Sequence, residues 1–570
     1  MLNWLIGVVR LQQSRSGGRR LRPHPPTLEY LEDRTVPSTA FFQTNLVSDI
    51  AGEAQITDPN LKNPWGVAVN PTGDFWVSDA ANGTVTLYSG DVNGHPIRMD
   101  APVISVPAAT RGSAGQPSGQ VFNSTSVFIV PGGSSPALFI FAGIDGTLSA
   151  VAPNFYTGAP SSQAVTVATV RAASYTGLAL GSNGSGNFLF AANNASGTID
   201  VFDKNFKQTT LTGSFTDPNL PANMTPFNVV NITGTLYVTY ENPSNESVGG
   251  LVDKFDTNGH FLGRFADGSN LVAPWGVVRA PAGFGSFGGD ILVGNFGDGH
   301  ISAYDASGKF LGQLTGQNGQ PLAIERLWQL TFGNGSSAGG GGTLYFTSGL
   351  NKEQDGIFGS LTPMTPNQRF VAQAYNDLLQ RPADANGLAF WTNQLAQGAS
   401  RQQIVAGIES TSEYDAVVVN HFFRQFLHRS ADAAGVSFWS AQLATGATVE
   451  QVAAGIVGSQ EFFMTQGGGT TNGFLTALFK DALGRAPDSM GQTGFTAALQ
   501  SGASTMQVGA VVFASSEFLA DQVQGFFQSF LHRAADSAGL TGFVPALQQG
   551  ATAQQVIAVI VASGEYFAKL

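Results

Sequence analysis

The chain has 570 residues, more than one ordinary domain of about 100–200 residues, and is 42% apolar but only 12% charged. A formal net charge of −12 repels phosphate backbones and excludes nucleic acid as the main partner. With no cysteine, disulfide scaffolds, zinc knuckles and thiol nucleophiles are excluded, while 71 glycines in so uncharged a chain read as turn-rich β structure.

Residues 1–40 read as an export leader without a packed core. Met1–Val9 carries a short apolar run (Leu2, Trp4, Leu5, Ile6, Val8, Val9), followed by Arg10, Arg15, Arg19, Arg20 and Arg22. No segment approaches the ~20 continuous apolar residues of a membrane span, so an integral membrane protein is not expected. The run Leu28-Glu29-Tyr30-Leu31-Glu32-Asp33-Arg34-Thr35-Val36-Pro37-Ser38 resembles an N-terminal tag of large extracellular proteins in some environmental bacteria. That resemblance implies a secreted, extracellular or cell-surface location.

Residues 41–363 repeat a strand–turn–strand pattern. Pro64-Trp65-Gly66-Val67 is followed by Phe75-Trp76-Val77-Ser78-Asp79, the hairpin signal Asn82-Gly83, and Thr84-Val85-Thr86-Leu87-Tyr88. Equivalent units start near Pro117, Tyr175, Pro226, Pro274 and Leu327, which makes six. A small antiparallel sheet cannot bury its own faces, so six such units predict a six-bladed β-propeller. Phe41-Phe42-Gln43-Thr44-Asn45-Leu46-Val47 is expected to add a strand to the last blade and latch the ring. The stretches Asp58-Pro59-Asn60-Leu61, Asp217-Pro218-Asn219-Leu220 and Val293-Gly294-Asn295-Phe296-Gly297-Asp298-Gly299 resemble an uncharacterised family of secreted bacterial propellers, similar to NHL and YVTN types. The resemblance implies a fold and a compartment, and brings no activity with it.

After Thr362-Pro363 the spacing turns helical, giving an all-α repeat domain behind the all-β propeller. The expected divisions are repeat pair one over 364–465, a glycine-rich linker over 466–473 and repeat pair two over 474–570. Four units align on Arg381, Arg429, Arg485 and Arg533, each followed by Asp and Gly (Asp384/Gly387 in the first) and then by Trp391, Trp439, Phe495 or Phe543. Ser400/Gln403, Thr448/Gln451, Ser504/Gln507 and Thr552/Gln555 read as capping boxes. Glu-aromatic pairs from Glu413-Tyr414 to Glu565-Tyr566 close the units, and the Arg–Asp pairs are expected to form salt-bridged caps. These units resemble a bacterial surface-protein domain of unknown function, similar in look to phycobilisome linker repeats; attachment or self-assembly is the role this implies.

Propellers place ligands at the mouth of the axial tunnel, where inner strands begin. Six-bladed gluconolactonase-type enzymes hold a divalent metal there with carboxylates and amides. Here the inner-strand position is Trp65, Ser118, Thr176, Phe227, Trp275 or Trp328, so no oxygen cage, metal or cofactor is expected. Trp65, Tyr175, Phe227, Trp275 and Trp328 form an aromatic set that either stacks on a flat ligand such as a sugar or wedges the blades together. Asp79, Asn193, Asn295 and Asp298 end or follow second strands, where a side chain can face an opening, while Asp298-Gly299 and Asn82-Gly83 read as turns in preference to metal ligands. Asp91-Val92-Asn93-Gly94 and Asp256-Thr257-Asn258-Gly259 echo part of a calcium loop without its distal Glu. No catalytic residue is assigned, although His300 beside Asp298 is the candidate acid/base of a lyase or lactonase acting on extracellular carbohydrate or ester. The reading favoured is an extracellular binding or scaffold protein, with a glycan or surface protein as ligand.

Overall fold

The computed structural model describes residues 40–152, 163–247 and 249–570. The leader reading, Ala40 apart, lies outside them. The alternating apolar runs form six blades, the first built from Pro64–Val69, Phe75–Asp79, Thr84–Ser89 and Arg98–Ser105, hydrogen-bonded in sequence order. The inner strands of the later blades are Pro117–Phe122, Tyr175–Ser182, Thr225–Ile232, Pro274–Arg279 and Leu327–Phe332. The last blade is completed by Phe41–Ser48, which pairs antiparallel with Asp355–Pro363 from Phe41↔Pro363 to Ser48↔Ile357. Closure therefore joins the start of the propeller to its end.

Each blade buries its faces against its neighbours, and Phe42 of the last also packs on the helical core. One apolar cluster fills every blade junction: Leu87 and Phe139 between the first and second, Leu236 and Phe190 between the fourth and third, Phe358 and Phe75 across the closing seam. The inner strands converge so closely that a side chain is excluded at one position. A Cβ on Gly66 would lie 2.5 Å from the Ser118 carbonyl, and one on Gly276 would lie 2.6 Å from that of Trp328. The glycine of Pro-Trp-Gly is thus a packing requirement of the hub.

The helical region is built from four units. The first holds α1 (Pro366–Leu379), α2 (Ala385–Ala396) and α3 (Arg401–Glu409); the second α4 (Ser412–Leu427), α5 (Ala433–Ala444), α6 (Val449–Val457) and α7 (Gln460–Thr465). The third holds α8 (Thr471–Leu483), α9 (Ser489–Gln500) and α10 (Thr505–Phe513); the fourth α11 (Ser516–Leu531), α12 (Ser537–Gln548), α13 (Ala553–Val561) and α14 (Gly564–Phe567). All four expected capping boxes form at α3, α6, α10 and α13. The glycine-rich run 466–473 is partly helical, because Thr470 accepts the Gly473 amide and starts α8 at Thr471.

The units share one apolar core. α6 packs on α10 and α3 on α13, so each pair reaches across to the other and the four close into a ring with approximate twofold symmetry. The expected Arg–Asp ion pairs form in three units, at 3.3 Å for Arg381–Asp384, 3.9 Å for Arg429–Asp432 and 3.5 Å for Arg533–Asp536, but they are not the main contact of either partner. Each Asp caps its own helix, as Asp384 does by accepting from the Gly387 amide, and its Arg is turned mainly to a Glu 32 residues further on. Arg429 Nε and Nη2 grip Glu461 at 2.6 and 2.8 Å with the guanidinium over the Phe423 ring, and the other three units repeat this. A planar fork that meets both carboxylate oxygens outcompetes an Asp already engaged by a backbone amide. The helical domain docks on the propeller through Gln317, which donates to the Ala383 carbonyl and accepts from Asn376.

Candidate functional site

Because inner strands begin at one mouth of the ring, their second residues crowd the axis. Trp65 and Trp328 stack with centroids 3.7 Å apart, and Trp275 stands edge-on to both at 6.4 and 5.6 Å. Phe227 meets Trp328 at 5.8 Å. Phe296, from the loop after the fifth blade's second strand, closes on the same indole at 4.2 Å. The Trp275 N–H reaches across the hub to the Thr176 carbonyl at 3.1 Å, and the Trp328 N–H donates to Asn63 Oδ1 at 3.2 Å. Trp275 and Trp328 are fully buried and Trp65 retains 8% of its surface. Four of the five aromatic residues singled out in the sequence therefore meet in a solid plug. Tyr175 does not join them; it packs between the second and third blades and donates its hydroxyl to Asp200 at 2.8 Å.

Above the plug lies a polar rim that sequence reasoning missed. Arg326 precedes the last inner strand as Asn63 precedes the first, both with φ near +46° (47° and 46°), so both side chains sit at the mouth. Arg326 Nη1 pairs with Glu246 at 2.5 Å, its Nε lies 3.9 Å from Glu353, and its guanidinium covers the Phe296 ring at 4.4 Å. Asn63 Nδ2 donates to Glu353 at 3.3 Å, and Asn194 Nδ2 to Glu241 at 3.1 Å. Burial pushes the Glu241 carboxyl up to about 7, helped by the Glu246 charge and opposed by the Asn194 hydrogen bond. Burial also raises Glu353, against the pull of Arg326, and Glu246 again adds to the rise. The three carboxyls thus share one electrostatic space.

The expectation of a hub without acidic groups is therefore corrected: the ring position itself carries none, but two loops and one strand end deliver three to its mouth. The strand-end criterion that singles out Asp79, Asn193 and Asn295 also points to Glu241, which closes the strand Thr235–Glu241. Among the described residues, no three of His, Asp or Glu stand close enough to hold a metal ion.

The remaining candidates serve the fold. Asn193 donates to Asp200 and accepts from the Ser174 amide, while Asn295 donates to the Asn270 carbonyl. Asp79 is fully buried, and burial drives its carboxyl well above the usual range. Asp298 accepts from the His300 amide at 3.0 Å and faces its ring nitrogen at 3.2 Å, a closed turn pair. Asp256 receives the amides of Asn258 and His260, and Asp91 the Tyr345 hydroxyl, so both calcium-like loops spend their carboxylates internally. His428 and His532 both end helices in the left-handed conformation, at φ 53° and 49°.

Comparison with known proteins agrees with both halves of this description. Residues 61–86 match the NHL repeat, and residues 360–418, 414–466 and 453–522 match a domain of unknown function (DUF4214). The chain is 28% identical over 330 residues to an uncharacterized protein of Acanthamoeba polyphaga mimivirus, covering 55% of this chain and 78% of that one. A second uncharacterized protein of the same virus is 29% identical over 323 residues, covering 53% and 81%. Among solved structures, virginiamycin B lyase from Staphylococcus aureus aligns over 57% of this chain and 99% of its own, at 15% identity and a TM-score of 0.33.

Proposed function

We propose that this NHL-repeat propeller joined to a helical repeat domain is an extracellular or cell-surface binding and scaffold protein. The propeller presents the ligand-binding face, and the helical repeats provide attachment or assembly. The observation that carries this reading is the plug: with Trp65, Trp275, Trp328 and Phe296 filling the hub, a ligand meets a face and not an axial chamber. On that face Glu246 and the half-buried Arg326, Asn194 and Glu353 offer donors and acceptors side by side, with Asn63 and Glu241 buried behind them. Vicinal hydroxyls of a glycan match that chemistry. Export is supported by the resemblance of residues 28–38 to an extracellular tag, and cell fractionation checks it.

The test is a glycan array probed with the full chain, run beside a lyase and lactonase activity panel. Saturable binding that Glu353→Gln or Arg326→Met weakens, without turnover, is the expected result.

A second reading, a propeller enzyme on carbohydrate or ester, is favoured by one feature. Glu241, held near 7, is poised to give or take a proton at neutral pH. Turnover abolished by Glu241→Gln or His300→Ala would replace the binding reading with this one.

A further inference from the structure

The approximate twofold of the helical ring relates α4 to α11, so residues 104 positions apart correspond. Half of the sixteen aligned positions are identical, with Phe422 matching Phe526 and Phe426 matching Phe530. Several of the positions that differ border the same space. Val418 corresponds to Gln522, Gln425 to Ser529, and His421 to Gly525, where a Cβ would meet nothing within 4 Å. α4 packs on α1, α6 and α8, and α11 on α8 and α13. Between α4 and α11 lies a cavity of about 430 Å³, within the range of small-molecule sites.

Its walls are mainly rings and branched chains, among them Tyr414, Phe422, Phe518, Phe526 and Ile557. Tyr414 apart, seven of the twenty lining residues are polar, Gln380 and Gln522 among them. The His421 ring is open to water yet hemmed in closely enough that burial holds its pKa below the ordinary imidazole value, which leaves it neutral at pH 7. Gln425 hydrogen-bonds the His421 ring and donates to the Asp481 carbonyl at 3.2 Å, and Ser529 stands on the facing helix. Among the described residues no Lys or Arg lines the cavity, whereas Asp377 and Asp521 do, which disfavours an anion. Asp377 is already engaged by the Tyr566 hydroxyl at 2.6 Å and by Gln373 at 2.9 Å.

We propose that this cavity binds a small, neutral, largely apolar molecule bearing one hydroxyl, such as a phenol or aromatic alcohol. The ring lies between Phe422 and Phe526, the hydroxyl donates to the His421 imidazole, and it accepts from Gln425 or Ser529. A hydroxyl satisfies both directions without a charge.

The experiment titrates the full chain with p-cresol, toluene, p-toluate and benzylamine by calorimetry and ligand-observed NMR. Saturable binding of p-cresol is expected at one site per chain, about tenfold tighter than toluene, which offers His421 no hydrogen-bond partner. Gly525→Leu fills the space and removes binding with an unchanged circular dichroism spectrum. Ser529→Phe is a second plug, should the first variant fold poorly. His421→Leu collapses the preference for p-cresol over toluene. Absence of saturable binding at millimolar p-cresol would overturn the proposal, as would binding that survives both plugs. So would p-toluate or benzylamine binding as tightly. None of these outcomes depends on the propeller face.

Discussion

Glu409, the last residue of α3, sits where the other three units place Val457, Phe513 and Val561. Its side chain is 7% exposed and Oε1 has no hydrogen-bond partner. Burial raises its pKa from 4.5 to about 9, so the folded protein holds it protonated at neutral pH while the unfolded chain ionises it. The stability it contributes is whole below pH 4.5, falls by about 1.4 kcal/mol per pH unit above that, and is fully lost near pH 9. At pH 7 the deficit is about 3 kcal/mol, and its size there does not depend on how far above 7 the folded pKa lies. Glu409→Gln keeps the shape and removes the ionisation. Urea unfolding of the full chain, followed by helical circular dichroism from pH 5 to 8, should show the variant gaining on the parent by about one proton's worth per pH unit. Parallel curves for parent and variant across that range would refute the reasoning.

Three other outcomes follow from the packing. Gly455 lies under the Trp439 indole, so Gly455→Val should cost about 1–3 kcal/mol in denaturant unfolding, and Trp439→Phe in the same chain should recover most of it. Trp328→Ala removes the ring against which Trp65, Phe227, Trp275 and Phe296 pack, and should lower propeller stability by about 3–5 kcal/mol, read as a fall in Tm. EDTA should leave the Tm unchanged, because Asp91 and Asp256 are saturated by partners in the chain; a clear drop would point to an ion in those loops.

Much of the architecture was legible because its signals are local. Asn82-Gly83 marks a hairpin wherever it stands, and a Ser or Thr followed three residues later by Gln caps a helix through its own backbone. The later two units replace Trp391 and Trp439 with Phe495 and Phe543, and the reason lies 16 positions on. Gly407 and Gly455 become Val511 and Val559 there, so the pairs exchange volume together. The rim of the propeller mouth was not legible. Arg326 meets Glu246 across 80 residues and Asn63 meets Glu353 across 290, and only ring closure brings such positions together. The aromatic set was visible as composition, but which members share the axis depends on strand register. Tyr175 pairs with Asn193 one position away from the hub and turns into a blade interface.

The closing seam bears on how the chain withstands being pulled. Phe41 lies opposite Pro363, so the two ends of the seam emerge side by side, and tension between them would open the strands like a zip, one bond at a time. A joint of that kind resists load poorly unless its first tooth is guarded. Here it is: the Met364 amide clips to the Ala40 carbonyl, the Phe41 amide to Thr315, and the helical domain rests on Gln317 immediately beyond. A tug transmitted through the C-terminal helices must break that clasp before it can begin to unfasten the ring.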